Sequence, residues 1–157
     1  LPGNRIVRFH PMSLLAASTA HRLTLSGLRD LAGNVLAAPV VIDFTTSATS
    51  DLVFPAVTSI APVNGATGVP RTTAAVLQFS EPISPVNVNS ASARLVESGV
   101  GDIATTLSLS PDRRSLTITP ASLLSPSKFF SVILNASLTD AAGNALAGFS
   151  SGFTTGP

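Results

Sequence analysis

Apolar and polar residues alternate along much of this chain. The alternation is clearest at Ala75, Leu77 and Phe79, and again at Leu116 and Ile118. A spacing of two places these side chains on one face of an extended strand, as in a sheet with one buried face. Stretches rich in Gly, Pro, Asn and Asp interrupt the pattern and predict turns between short strands. We therefore predict an all-β protein.

The alternation and the turns together place strands along the whole chain. The predicted strands from residue 56 onward are Ala56–Ile60, Ala74–Ser80, Ala93–Glu97, Ile103–Ser108, Ser115–Thr119, Phe129–Asn135 and Phe149–Thr155, with a minor strand at Val86–Asn89. The strands predicted before residue 51 are Arg5–His10, Ala20–Ser26 and Val40–Thr46. Short strands at this spacing are typical of an immunoglobulin-like β-sandwich.

The end of the chain repeats its beginning. The turn at residues 30–34 (DLAGN) returns 110 residues later at residues 140–144 (DAAGN), and Phe44 returns 109 residues later as Phe153. A repeat of this length is one domain long, so we predict immunoglobulin-like β-sandwich modules in tandem. In this division residues 1–47 are the C-terminal half of one module, with three strands, residues 48–55 are a linker, and residues 56–157 are a complete module.

The predicted half-module would leave an apolar face without a partner. Its three strands carry residues such as Leu23 and cannot bury that face among themselves. Either earlier residues of a longer protein complete the module in cis, or another subunit completes it in trans, and the sequence leaves both open. Val7 and Phe9 are therefore candidate assembly contacts. Phe129 and Ile133 are two more, because alternation in their strand predicts that they face outward.

The chain carries little charge, which limits the partners that it can attract. Charged residues make up 11% of the sequence, and the net charge is +1. A charge this small does not collect phosphate groups, and there is no Trp or Tyr to stack on bases, so we expect no nucleic-acid partner. The longest apolar stretch, Val35 to Ile42, is too short to insert into a membrane. Cysteine is absent, which excludes disulfides and thiolate chemistry.

The repeated turn is the best-defined candidate site. An aspartate at the start of a turn can accept hydrogen bonds from the N–H groups that follow it, while Gly and Asn tolerate positive φ. Calcium is the alternative, but it takes about six to eight oxygen ligands and each turn offers one carboxylate. We predict structural turns without a cofactor at Asp30, Gly33, Asn34, Asp140, Gly143 and Asn144.

We predict no catalytic group. Glu81 follows a predicted strand, but the sequence shows no obvious second carboxylate or histidine beside it, so we expect a backbone-capping or solvent-facing role. His21 aligns with Phe130 in the repeat, which predicts a partly buried filler and not a metal ligand.

Three motifs of the second module resemble a known family. They are PVNGATGVP at residues 62–70, FSEPI at residues 79–83, and DAAGN at residues 140–144 followed by a final FTT. In this order they are similar to the Ig-like domain family named after bacterial surface-layer proteins. The resemblance implies an extracellular structural repeat of surface layers, large adhesins and some secreted enzymes, without catalytic activity.

These observations favour one function and leave two alternatives. We expect a non-enzymatic repeat of a bacterial extracellular or cell-surface protein that self-assembles into a surface layer, sheath or filament. Its partners would be copies of itself or adjacent modules of the same polypeptide, in a homo-oligomer or polymer. The first alternative is a stalk module of a large adhesin, which would stay monomeric at high concentration. The second is an accessory module of a secreted hydrolase, for which the lack of Trp and Tyr leaves little basis for carbohydrate binding.

Overall fold

Backbone hydrogen bonding follows the apolar alternation closely. A computed structural model of the protein describes residues 7, 9, 11–13 and 15–157. The chain forms two compact units, one within residues 8–50 and a larger one that contains residues 51–157 together with Val7. The strands in the described residues are β1 (Ala20–Leu25), β2 (Val40–Thr45), β3 (Val57–Ala61), β4 (Ala66–Val69), β5 (Ala75–Phe79), β6 (Ala93–Glu97), β7 (Gly101–Ile103), β8 (Thr105–Leu109), β9 (Ser115–Pro120), β10 (Phe129–Leu134) and β11 (Phe149–Thr155).

The larger unit is a sandwich of two sheets. One sheet has the strand order β4-β11-β10-β6-β7, and the other has the order β3-β5-β9-β8. Neighbouring strands are antiparallel except β4 and β11, which are parallel. The predicted all-β, immunoglobulin-like sandwich is therefore confirmed for this unit.

The core of the larger unit lies between the inward faces of its two sheets. Leu77 and Leu116 from one sheet and Phe130 and Val132 from the other are fully buried. The rings of Phe130 and Phe153 stack with their centroids 5.7 Å apart. Each such side chain contributes about 1.5–3 kcal/mol when it is removed from water, so the core is the main source of stability.

The minor strand predicted at Val86–Asn89 is wrong. Residues Pro85–Asn87 form a single 3-10 turn, since Pro85 has a fixed φ and no N–H to donate to a neighbouring strand. The Ser92 hydroxyl donates to the Asn87 carbonyl at 2.7 Å, so a local side-chain bond takes the place of strand pairing. Within the described part of the chain, no helix is long and apolar enough to cross a membrane.

One predicted strand is divided between the two sheets. Ile103–Ser108 was expected as a single strand, but β7 ends at Ile103 and pairs with β6, whereas β8 begins at Thr105 and pairs with β9. Alternation does not reveal this crossing, because inward-facing residues of both sheets point into the same core.

The edge strand β4 was not predicted from the sequence. Its segment contains Gly65 and Gly68, both with positive φ, which indicates a turn when the sequence is considered alone. The chain nevertheless extends far enough here to pair with β11. The Gly65 N–H donates to the Gly152 carbonyl at 2.7 Å, and the Gly156 N–H donates to the Val69 carbonyl at 2.9 Å.

The smaller unit is built on the antiparallel pair β1 and β2. Its third predicted strand, Arg5–His10, falls largely outside the described residues. Alternation gives the β1–β2 pair an apolar face and a polar face. The polar face carries an exposed ion pair between Arg22 and Asp43 at 2.7 Å.

Candidate functional site

The strand pair β1–β2 has the same register as β10–β11. Ala20 pairs with Thr45, and 109 residues later Phe129 pairs with Thr154. Every later pair in the two hairpins keeps this offset. The sequence repeat is thus also a repeat of backbone structure.

The first repeated turn is held by the carboxylate of Asp30. Its Oδ1 accepts hydrogen bonds from the N–H groups of Ala32 and Asn34, both at 2.9 Å, and its Oδ2 accepts one from the Asn34 side-chain amide at 2.8 Å. Gly33 has a φ of 89°, which closes the turn. These bonds, those from Asn34 above all, hold the pKa of Asp30 below its ordinary value.

The second repeated turn has a similar construction around a buried aspartate. Oδ1 of Asp140 accepts hydrogen bonds from the N–H groups of Gly143 at 2.6 Å and Asn144 at 2.9 Å. Its Oδ2 accepts one from the Asn144 side-chain amide at 2.8 Å. Asp140 is only 4% exposed, whereas Asp30 lies on the surface.

A threonine near the end of each hairpin makes a further repeated contact. The hydroxyl of Thr155 donates to the Ser125 carbonyl at 2.7 Å and accepts from the Lys128 N–H at 3.0 Å. At the matching positions the hydroxyl of Thr46 donates to the Ala16 carbonyl and accepts from the Thr19 N–H. In both copies the threonine therefore connects the end of the second strand of the hairpin to the segment that precedes the first strand.

Three carboxylates meet at one place in the larger unit. Oxygens of Asp51, Glu81 and Asp140 lie within 4.8 Å of one another. A β-bridge between Ile83 and Asp140 holds the segment after β5 against the turn, and the Asn144 side-chain amide donates to the Asp51 carbonyl at 3.2 Å. The expectation that Glu81 has no second carboxylate beside it is therefore wrong. Its neighbours are distant in sequence, which is why no local motif revealed them.

Glu81 lies in unfavourable surroundings for a negative charge. The residue is half-buried, and its Oε1 has no hydrogen-bond partner among the described residues. Burial raises the pKa of Glu81 above its ordinary value, and the charges of Asp140 and Asp51 raise it further, while Arg114 opposes them. Ionised Glu81 is therefore held at a cost to the fold.

The carboxylate cluster offers part of the ligand set of a calcium ion. Asp51, Glu81 and Asp140 would supply hard oxygen ligands of the type that calcium prefers. Calcium takes about six to eight oxygens, and both Asp140 oxygens already accept hydrogen bonds within the turn. Among the described residues this is the one such cluster, and the Asp30 turn has no equivalent group of carboxylates around it. Nothing further in the cluster points to an ion.

Phe129 lies on the outer face of β10 and covers a glycine of β11. The side chain is 47% exposed, and its ring lies over Gly152, where an added Cβ would come 2.2 Å from the Phe129 Cζ atom. The smaller unit has Ala20 and Asp43 at the equivalent positions. The aromatic residue and the glycine therefore occur together in one copy and are both absent from the other. Such a ring shields the sheet where glycine leaves the backbone bare.

The other candidate assembly contacts differ in exposure. Ile133 is half-buried, whereas the side chains of Val7 and Phe9 are both more than half exposed. Three apolar side chains that were not predicted as contacts, those of residues 52–54 (LVF), are also more than half exposed. Their signal in the sequence is a run of apolar residues directly before Pro55, which is buried.

The apolar face of the β1–β2 hairpin is largely uncovered. Ile42 is 45% exposed and Phe44 is 40% exposed, whereas Phe153, at the position of Phe44 in the larger unit, is 2% exposed. His21 stacks on Phe44 with ring centroids 5.5 Å apart. Its Nε2 is buried without a hydrogen-bond partner among the described residues.

Sequence comparison identifies the larger unit. The sequence model of the family described as bacterial Ig-like domain matches residues 51–155. A search of curated proteins found no significant match to this chain.

Solved structures share the fold of the larger unit. Domains 1–6 of the surface layer protein SbsC are 18% identical with a TM-score of 0.51, over 67% of this chain and 14% of SbsC. PcoC, a methionine-rich copper resistance protein from Escherichia coli, is 20% identical with a TM-score of 0.53, over 66% of this chain and 99% of PcoC. CopC from Methylosinus trichosporium OB3b is 15% identical with a TM-score of 0.50, over 66% of this chain and 94% of CopC. At these identities the likeness is one of fold. The present chain has one Met, so it does not share the methionine content that the description of PcoC names.

Proposed function

The match over residues 51–155 makes this chain a member of the bacterial Ig-like domain family, and from this premise we propose that it is a structural module of a bacterial extracellular protein. We propose further that modules of this kind follow one another in the parent polypeptide, and that the protein assembles into a surface layer, sheath or filament. In this role the chain is not an enzyme.

The observation that carries the proposal is the repeated hairpin. The register of β1–β2 and β10–β11, the aspartate turn and the threonine contact all recur after 109 or 110 residues. Repeats of this kind build elongated proteins in which each unit contacts mainly its neighbours. The surface layer protein SbsC contains domains of the same fold, which supports a role at the cell surface.

The fold of the larger unit is suited to carrying tension. β4 lies near the start of the unit, β11 ends it, and the two are parallel neighbours. A force that pulls the two ends of the unit apart acts along this pair, so that its hydrogen bonds are loaded together and not one after another. An ordered array of such units would therefore resist stretching.

The outward side chain of Phe129 is our proposed contact between neighbouring molecules. It combines an exposed apolar ring with a fixed position, because the ring rests on Gly152. Exposed aromatic residues on a rigid sheet are favourable interface groups.

Sedimentation velocity and negative-stain electron microscopy of the full chain test this assembly. We expect concentration-dependent association into particles with a regular repeat, which Phe129→Ser abolishes. Val100→Ser is the matched control, since Val100 is also an exposed apolar residue but lies outside the strands. A chain that stays monomeric at high concentration would contradict self-assembly and favour the adhesin stalk. Association that is irregular, or that both variants reduce equally, would contradict the contact at Phe129.

A further inference from the structure

The uncovered face of the β1–β2 hairpin has the shape and composition of half a sandwich core. The side chains on this face are His21, Leu23, Leu25, Val40, Ile42 and Phe44. Two antiparallel strands alone are marginally stable in water, and an exposed apolar face of this kind is normally covered.

The larger unit contains the same face in its covered form. The equivalents of Leu23, Leu25 and Phe44 are Val132, Leu134 and Phe153, each at most 2% exposed. They belong to one core cluster with Leu77 of β5 and with Leu116 of β9. In the larger unit, the structure that covers the equivalent face is the sheet β3-β5-β9-β8.

We infer that the hairpin within residues 8–50 belongs to the C-terminal half of another Ig-like sandwich, and that a preceding segment of the same polypeptide with the pattern of residues 51–109 supplies the equivalents of β3, β5 and β8 in the covering sheet. This inference rests on the proposed function, since it assigns the neighbour that the tandem arrangement requires. The repeated aspartate turn and threonine contact indicate that the half already present has its final backbone geometry.

A second copy of this chain is a poorer source for that sheet. Leu77, Leu116 and Ile118 are fully buried in the larger unit, so the sheet that they belong to has its apolar face occupied. A copy would have to open its own sandwich to offer that sheet to a neighbour. A preceding segment carries no such cost. The 109-residue offset aligns β9 with residues 6–11 in sequence, so such a segment has to add the equivalents of β3, β5 and β8.

The test is a fusion that carries an extra copy of residues 51–109 directly before Leu1 of the full chain. Amide hydrogen exchange, read by mass spectrometry on peptides covering β1 and β2, is compared between the fusion and the parent chain. We expect exchange in these peptides to slow at least ~100-fold, because the hairpin then opens only with the completed sandwich. The control is the same fusion with Leu77→Asp in the added copy, which should exchange as fast as the parent.

A second fusion guards against a mismatch between the two halves. It carries His21→Phe and Ile42→Ser, which give the hairpin the residues found at Phe130 and Ser151 in the larger unit. Fast exchange in both fusions, with β10 and β11 still protected, would overturn the inference. Protection in the parent chain that grows with concentration, together with a dimer in sedimentation, would overturn the assignment to the same polypeptide. The proposed assembly through Phe129 is measured separately, so that failure of either proposal is visible without the other.

Discussion

Asp30 and Asp140 make similar hydrogen bonds in different surroundings. Each carboxylate accepts bonds from two backbone N–H groups and from the amide of an asparagine four residues later. Asp30 is exposed, so water can satisfy the same donors if the carboxylate is lost. Asp140 is buried and its hydrogen bonds from Gly143 and Asn144 are partly buried, so water replaces the lost carboxylate less readily there.

We expect Asp140→Ala to lower the free energy of unfolding of the larger unit by about 2–3 kcal/mol, as for loss of charged hydrogen bonds in a buried turn. Urea denaturation followed by circular dichroism measures this, since the chain has no Trp or Tyr for fluorescence. Asp30→Ala is the matched control and should leave the transition of the larger unit unchanged. Equal effects of the two substitutions would show that burial does not set the importance of the turn.

The raised pKa of Glu81 makes stability depend on pH in a definite direction. Because burial and the charges of Asp140 and Asp51 raise this pKa in the folded state, folding favours the protonated form. The stability contributed by protonated Glu81 is fully present below the ordinary glutamate pKa. It is lost as the pH rises through the pKa of Glu81 in the folded state. Neutral pH is therefore unfavourable for this carboxylate.

We expect Glu81→Gln to raise the unfolding midpoint at pH 7, and the gain to shrink as the pH falls below the ordinary pKa of glutamate. Thermal unfolding followed by circular dichroism measures this shift of the midpoint. The buffers contain a chelator, so that no bound cation contributes. Asp102→Asn removes an exposed acid and should change stability by less than ~0.5 kcal/mol. A Glu81→Gln variant less stable than the parent at pH 7 would show that the carboxylate is stabilised by its surroundings.

At the scale of elements, Phe129 and Gly152 form a coupled contact between β10 and β11 on the outer face of the five-stranded sheet. We expect Phe129→Ala and Gly152→Ala each to cost about 1 kcal/mol, and the double variant to cost clearly less than the sum. The reason is that an added methyl at residue 152 displaces the ring, so that its contribution is lost only once. A double-mutant cycle in urea measures the coupling, and additive effects would mean that the ring does not depend on the glycine.

The parallel pair β4–β11 predicts a specific mechanical response. Asn64 supports this pair, because its Oδ1 accepts a hydrogen bond from the Gly152 N–H at 2.9 Å. The chain has no cysteine, so Ser50→Cys and Pro157→Cys provide unique handles for single-molecule pulling. We expect Asn64→Ala to lower the unfolding force of the larger unit, because the pair carries the load in shear.

Asn135→Ala is the control for this measurement. Asn135 also bonds the backbone through its side chain, to the Ala91 carbonyl at 2.7 Å, but it lies away from the β4–β11 pair. An equal fall in unfolding force for both variants would contradict the proposal that the β4–β11 pair carries the applied force.

At the scale of the whole molecule, the two copies of the hairpin should respond differently to the same change. Phe130 is fully buried, and Phe130→Ala should cost about 3–5 kcal/mol, a large part of the stability of a typical domain. His21→Ala at the equivalent position should leave the main urea transition unchanged, because its face is not part of a closed core. Equal losses would show that the two hairpins unfold as one.

The sequence by itself determined the strands, the repeat and the aspartate turns. These features depend on residues close together in the chain, so a spacing of two, or an Asp followed by Gly and Asn, already specifies them. Most strands accordingly begin and end within one or two residues of the prediction, and the family resemblance is confirmed by the match over residues 51–155.

Only the tertiary structure decided which distant residues meet. It assigned residues 101–109 to two sheets, paired β4 with β11, placed Phe129 over Gly152, and brought Glu81 to Asp51 and Asp140. No local sequence pattern specifies these contacts, because the residues that meet are far apart in the chain. The packing of the two sheets brings them together. For the same reason, the sequence shows that one face of the first hairpin is apolar, while only the folded larger unit shows which sheet covers the equivalent face there.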